Sequence, residues 1–232
     1  METSVQKSTK TSMLSRIIAF CSIYKNKNKT NQSEKFSWLM TKKKKALFQK
    51  YAEKAKIYLE FGAGGSTNTA LNLALEKIYS VESSEAWINI LIEKHKLISE
   101  SKQSGRLNFF HADIGPVKFL GYPVVSKKDK SPDRFLRFSQ GIFEKYPEAA
   151  SADVILVDGR FRAACFLYSL LKVKDDAVLM FHDFWNRRHY HAVLKYIDVI
   201  DRANSLMVCR KKNNVSNDEI LNEYEKFKFD PR

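Results

Sequence analysis

Residues 57–70 read Ile57-Tyr58-Leu59-Glu60-Phe61-Gly62-Ala63-Gly64-Gly65-Ser66-Thr67-Asn68-Thr69-Ala70, and this stretch decides the fold. Its first five residues form a short apolar run that reads as a strand, stopped by Gly62, Gly64 and Gly65. A helix is predicted beyond them over 67–76, with Ala70, Leu71, Leu73, Ala74 and Leu75 on its buried side. A ligand can lie against such a turn only where the backbone lacks side chains, which is what the glycines supply. The helix N-terminus adds unpaired N–H groups and a positive dipole end, suited to a phosphate or a carboxylate.

Several ligand classes use a glycine turn of this kind, and the flanking residues separate them. A P-loop needs Gly-Lys-Ser/Thr, and no lysine lies in this turn. A dinucleotide fingerprint places a third glycine where Thr67 stands, and an apolar residue where Glu60 stands. An acid at the end of the first strand suits a ligand with an ammonium group beside its carboxylate, such as the methionine part of S-adenosylmethionine.

Outward from this stretch, strand-like and helix-like segments alternate. Strands are predicted at 57–61, 77–81, 106–111, 153–157, 177–181 and 205–210. Helices are predicted at 67–76, 85–101, 161–173, 187–203 and 218–227, with one or two more over 36–55 leading into the fold. Residues 115–146 break the rhythm and read as an insertion or long loop bordering the acceptor pocket. The alternation predicts an α/β fold, a Rossmann-like and mostly parallel sheet with helices on both faces. It forms a single domain over 36–232, preceded by a flexible basic extension over 1–35.

The segment 57–70 resembles motif I of class I S-adenosylmethionine-dependent methyltransferases, and acids at later strand ends agree in order and spacing. The resemblance covers roughly residues 55–210. It implies that Glu60, Gly62, Gly64, Gly65, Ser66 and Thr67 form the cofactor loop. It further implies that Glu82, in YSVES, receives the ribose hydroxyls and that Asp113 faces the adenine amino group. A carboxylate suits the ribose because it can accept both hydroxyl protons. The strand ILVDG, ending at Asp158, and the later His182-Asp183-Phe184 look most like small-molecule or sugar O-methyltransferases.

Methyl transfer to a hydroxyl needs positioning and a base or metal to raise the nucleophilicity of the oxygen. Asp158, His182 and Asp183 are the expected catalytic residues. A divalent cation held by Asp158 and Asp183 is not favoured, because Phe184 stands where related catechol-type enzymes place an asparagine ligand. Arg160, Arg162 and Arg187, with Arg188 beside them, would bind an anionic acceptor through bidentate hydrogen bonds. His189 and His191, two apart on a predicted helix, do not share a face and form no metal pair.

The chain has 232 residues and a formal charge of +14, with 44% hydrophobic residues, enough for a sizeable core. Residues 1–57 account for +11 of that charge and the remaining 175 for only +3. The basicity therefore belongs to the first quarter of the chain, the arm and the lead into the fold. That favours a small-molecule or glycan acceptor, with nucleic acid not the expected partner. The alternative is a nucleic-acid-associated protein, methylating RNA or acting as a scaffold, whose arm binds phosphates. The arm, with Ile17 and Ile18 in a short apolar helix, also suits contact with an anionic membrane surface. Cys21, Cys165 and Cys209 are widely spaced and in no CxxC pair, which fits a reducing, cytoplasmic setting. No signal peptide or membrane span is expected.

Overall fold

In the computed structural model, residues 40–124 and 132–232 are described. The basic arm over 1–35, with Cys21 and its expected apolar helix, lies outside the described residues, as does the stretch 125–131 within the expected insertion. Helix α1 (Lys42–Ala52) leads into strand β1 (Ile57–Phe61), the glycine turn and helix α2 (Gly65–Leu71). Then come β2 (Lys77–Glu82), α3 (Glu85–Lys94), α4 (Lys96–Gln103), β3 (Leu107–His111), α5 (Leu136–Lys145) and β4 (Val154–Val157). The chain ends with α6 (Arg162–Lys172), β5 (Val178–Phe181), a 3-10 segment (Arg188–Tyr196), β6 (Ile197–Ala203), β7 (Leu206–Lys211) and α7 (Asn217–Phe227).

The seven strands form one sheet in the order β3-β2-β1-β4-β5-β7-β6. The first five are parallel, and β7 runs antiparallel to both β5 and β6. The chain builds outward from β1 to β3, crosses back, and continues from β4 in the other direction. The direction of winding thus switches between β1 and β4, and in sheets of this kind the crevice that binds ligands lies at the C-terminal strand ends of such a point. Strands β4 (VILV) and β5 (VLMF) are buried at every position, as expected where helices cover both faces.

Alternation along the strands assigns each side chain to one of two cores. Leu59, Phe61, Val81, Ile155, Val157 and Phe181 pack on one face with Phe138, Phe166 and Tyr224 of the covering helices. Tyr58, Leu156 and Met180 face the other side with Phe48 of α1, Leu71 of α2 and Leu91 of α3. The same pleat puts Glu60, Asp158 and His182, each two residues further along, on the α1 side of the sheet. Ladder bonds continue past the strands, from Asp158 N to Phe61 O (3.0 Å) and from His182 N to Val157 O (3.0 Å), and keep these ends in line.

Three sequence expectations are corrected. The helix predicted over 187–203 is a 3-10 segment followed by edge strand β6. Tyr190, Val193 and Tyr196 are buried at a spacing of three, the period of a 3-10 turn, and this mimicked an α-helical stripe. Strand β6 exposes Asp198, Val199 and Ile200, so its edge position erased the apolar signal. The expected irregular segment contains a regular crossover helix, α5, whose Phe138, Ile142 and Phe143 enter the core. Gly141, within that helix, makes room for the Phe110 ring. A Cβ there would stand 2.4 Å from the Phe110 ring. Finally, the helix predicted over 85–101 is two, broken at His95 (φ −125°, ψ 103°) without any glycine or proline to announce it.

Candidate active site

The glycine turn is held from beneath by Glu60, which is fully buried. Register pairs Glu60 with Ser80, and the Ser80 hydroxyl donates to Glu60 Oε1 at 2.7 Å. Tyr58, two residues back on the same face, donates to Oε2 at 3.1 Å. The Thr67 hydroxyl also donates to Glu60, and itself accepts from Gly64 N–H at 2.9 Å. Burial pushes the Glu60 carboxyl up to about 7, against the opposing pull of hydrogen bonds from Ser66, Thr67, Ser80 and Tyr58. Glu60 and Thr67 thus organise the turn from inside it. Gly62 (φ +107°) serves a close approach of backbones, because a Cβ there would meet Gly159 Cα and N at 2.8 Å.

Glu82 is half-buried at the end of β2. Its Oε1 accepts from Ser83 N at 2.7 Å and Ser84 N at 3.0 Å, and its carboxylate also meets the backbone N–H of Ala63 in the glycine turn. Burial raises its pKa despite these bonds. Asp113 is exposed, just past β3, and accepts from Gly115 N at 3.0 Å. Residues 117–123 fold over this end of the sheet, joined by the bridge between Val117 and Pro123. A Cβ on Gly121 would stand 2.9 Å from Ser83 Oγ and 3.9 Å from Glu82 Oε1, so this backbone forms a wall of the cleft at Glu82.

On the other side of the crevice, the structure brings Asp158, His182 and Asp183 together at the ends of β4 and β5. His182 Nδ1 lies 2.7 Å from Asp158 Oδ1, and its Nε2 lies 3.6 Å from Asp183 Oδ1. Asp183 has φ +58°, a left-handed conformation that aspartate tolerates better than most residues and that turns its carboxylate back toward the cluster. Burial pushes the Asp183 carboxyl up, but the nearness of His182, the charge of Arg162 and the Ser205 hydrogen bond outweigh it and hold the group below its ordinary range.

Sequence reasoning missed Lys44. Its Nζ stands 2.8 Å from His182 Nε2, donates to Ser205 Oγ at 2.7 Å, and lies 3.9 Å from Asp183 Oδ1. Ser205 in turn donates to Asp183 Oδ1 at 3.1 Å. Lys44 is one of a run of four lysines, Lys42–Lys45, and the run itself does not single it out. The helical period held the signal, because Lys44 shares the buried face of α1 with Leu47 and Phe48, three and four positions on.

Arg162 does not face an acceptor, and that expectation is corrected. Its side chain is 5% exposed, and its guanidinium donates to Gly159 O (3.0 Å) and His182 O (2.8 Å) while pairing with Asp158 and Asp183. It ties the ends of β4 and β5 together. Arg187 is half-buried and donates to Asp183 Oδ2 at 3.1 Å, and Arg188 is exposed. Arg160 is different. Among the described residues it makes no ion pair with an acid and its buried Nε has no partner, while its guanidinium lies 4.5 Å from the Tyr122 ring centre. Burial and the charge of Arg162 both lower its pKa.

Asp158 and Asp183 are already faced by the cations Arg162, Arg187 and Lys44, and Asp158 is hydrogen-bonded to His182, a surrounding that does not suit a divalent ion. Among the described residues no group of three or more His, Cys, Asp or Glu could hold a metal, and no helix is long and apolar enough to cross a membrane. Cys165 and Cys209 are free and buried, and burial raises both thiols.

No family model and no curated protein matches the chain. Among solved structures, a methyltransferase-like protein from Silicibacter pomeroyi aligns over 84% of this chain and 98% of its own, with 24% identity and a TM-score of 0.70. The fold is the Rossmann-like one of that protein. More distant likenesses include TehB from Haemophilus influenzae (10% identity, 75% of this chain and 64% of that one, TM-score 0.45). Another is the precorrin-6y C5,15-methyltransferase from Geobacter metallireducens (10% identity, 75% and 91%, TM-score 0.43).

Proposed function

We propose that this protein transfers a methyl group from S-adenosylmethionine to a hydroxyl of a small molecule or glycan. The reading is carried by one observation: two half-sites flank the β1–β4 crevice. On one side are the glycine turn and the half-buried Glu82, with Asp113 beyond them; on the other stand Asp158, His182 and Asp183 in mutual contact. The name of the Silicibacter pomeroyi protein accords with it.

The residues fit the cofactor. Glu82, beside Ala63 N–H and under the Gly121 backbone, is a half-buried carboxylate able to accept the ribose hydroxyls. Asp113, exposed at the neighbouring strand end, can accept from the adenine amino group. The turn at Gly64 and Gly65 lets the methionine end approach the backbone. When bound, the cofactor supplies a methyl group on a positively charged sulfur. His182 takes the proton of the acceptor hydroxyl at Nε2, with Asp158 orienting the ring through Nδ1. Arg160, unmatched by any acid among the described residues, binds an anionic group on the acceptor, such as a carboxylate, a phosphate or an acidic sugar.

Calorimetric titration with S-adenosylhomocysteine tests the reading. Saturable binding at one site per chain is expected. Absence of binding, with tight binding of NAD in its place, would overturn it.

A further inference from the structure

His182 has a carboxylate near each of its ring nitrogens. Asp158 Oδ1 is 2.7 Å from Nδ1 and Asp183 Oδ1 is 3.6 Å from Nε2, so a protonated ring would meet a carboxylate at each nitrogen. A histidine charged in this way has no lone pair with which to accept a proton. Against the two carboxylates stand Arg162 of α6, which pairs with both, Arg187, which pairs with Asp183, and Lys44 of α1. Of these cations only Lys44 touches the ring, with Nζ 2.8 Å from Nε2. Both atoms cannot donate in that contact. An ammonium has protons and no lone pair, so Nε2 must be the acceptor, and the ring's one proton lies on Nδ1 facing Asp158.

We propose that Lys44 is a positioning residue that keeps His182 uncharged, with its proton on Nδ1 and its lone pair on Nε2. The contact is built rather than incidental. Lys44 is 8% exposed, and its ammonium is also fixed by Ser205, which bridges it to Asp183. Helix α1 is anchored to the β6–β7 hairpin by further side-chain contacts, Lys50 to Asp201 at 2.7 Å, Tyr51 to Asp201 at 3.2 Å and, from the N-cap, Thr41 to Asn204 at 3.2 Å. Helix α1 thus presents to the strand ends the amine that sets the charge of the ring.

The purpose of this arrangement rests on the methyl-transfer reading; the charge state does not. In that reaction the acceptor hydroxyl displaces the ammonium from Nε2, and Lys44 keeps Ser205 and moves toward Asp183. As the oxygen bonds to the methyl carbon, its proton passes to Nε2. The electron pair of the broken carbon–sulfur bond stays on sulfur.

The test is nitrogen-15 NMR of the full chain labelled at its five histidines, with His182→Gln identifying the His182 signals. At neutral pH the wild type is expected to show two well-separated ring nitrogens, one with a proton and one without. Lys44→Met should bring the two signals together, as in an imidazolium, and Lys44→Arg should keep them closer to the imidazolium position than the wild type but restore part of the separation. An imidazolium in the wild type, or a neutral ring in a folded Lys44→Met protein, would overturn the proposal. Circular dichroism of each variant shows whether it is folded, and Ser205→Ala, which leaves the ammonium in place but frees it, gives a milder variant in which the separation should narrow. No cofactor is needed, so failure here leaves the calorimetric test of methyl transfer independent.

Discussion

Gly62 and Gly159, 97 positions apart in sequence, occupy the same point of the crevice. A Cβ on Gly62 would stand 2.8 Å from Gly159 Cα, and one on Gly159 would stand 2.9 Å from Phe61 O. Contacts under 3 Å to backbone cannot be relieved by a side chain moving aside. Gly62 also has φ +107°, where an L side chain is strained as well as crowded. Gly62→Ala should therefore cost more than Gly159→Ala, with each on the order of 1–3 kcal/mol. Urea denaturation midpoints measure both, and a wild-type midpoint for either variant would show that the strand ends can separate freely.

That pair also shows what was legible in the sequence. Apolar runs and glycines placed β1, the turn and the parallel sheet, because buried parallel strands are nearly continuous in apolar residues. Acids one or two positions past those runs located Glu82, Asp158 and Asp183 without any knowledge of contacts. The role of Gly62 was not legible, because its partner lies on another strand. For the same reason Arg162 read as an acceptor-binding residue, and the run of lysines did not single out Lys44. Burial of a long cationic side chain depends on which carboxylates the topology delivers, and sequence distance hides that. Strand β6 was missed because an exposed edge has no apolar stripe.

Glu60 makes stability depend on pH. Its carboxyl is raised from 4.5 to about 7 by burial, so between those values the folded protein holds a proton that the unfolded chain releases. The folded state binds more protons, and stability must fall as pH rises through that window and level off above it. The fall amounts to on the order of 3 kcal/mol. In Glu60→Gln this contribution is absent, so unfolding free energies at pH 5 and pH 8 should lie closer together than in the wild type. Equal pH dependence in the two proteins would mean that the hydroxyl ring keeps Glu60 ionised throughout.

Arg162 and Arg187 both reach Asp183 but should differ sharply when removed. The Arg162 side chain is 5% exposed, and its loss leaves Asp158 and Asp183 facing each other without their shared counter-ion. Arg162→Met is expected to cost roughly 3–5 kcal/mol, the range for breaking a buried pair. Arg187, 34% exposed, makes one ion pair, and Arg187→Met should cost about 1 kcal/mol or less. Denaturant unfolding of the two variants side by side checks the ordering. A similar cost for both would mean that Arg162 is no tie between β4 and β5.

Glu82 separates a structural from a ligand-binding role by the choice of substitution. Its Oε1 accepts from Ser83 N and Ser84 N, bonds that a glutamine oxygen can still accept. Glu82→Gln therefore keeps the turn after β2 but removes the negative charge and one acceptor oxygen, while Glu82→Ala removes both functions. If Glu82 receives the ribose hydroxyls, S-adenosylhomocysteine should bind Glu82→Gln roughly 10- to 100-fold more weakly, corresponding to about 1.5–3 kcal/mol for bonds to a charged group. Its unfolding midpoint should stay near that of the wild type, whereas Glu82→Ala should lose stability as well. Full affinity in Glu82→Gln would take the ribose away from Glu82 and leave it as the support of the Ser83–Ser84 turn alone.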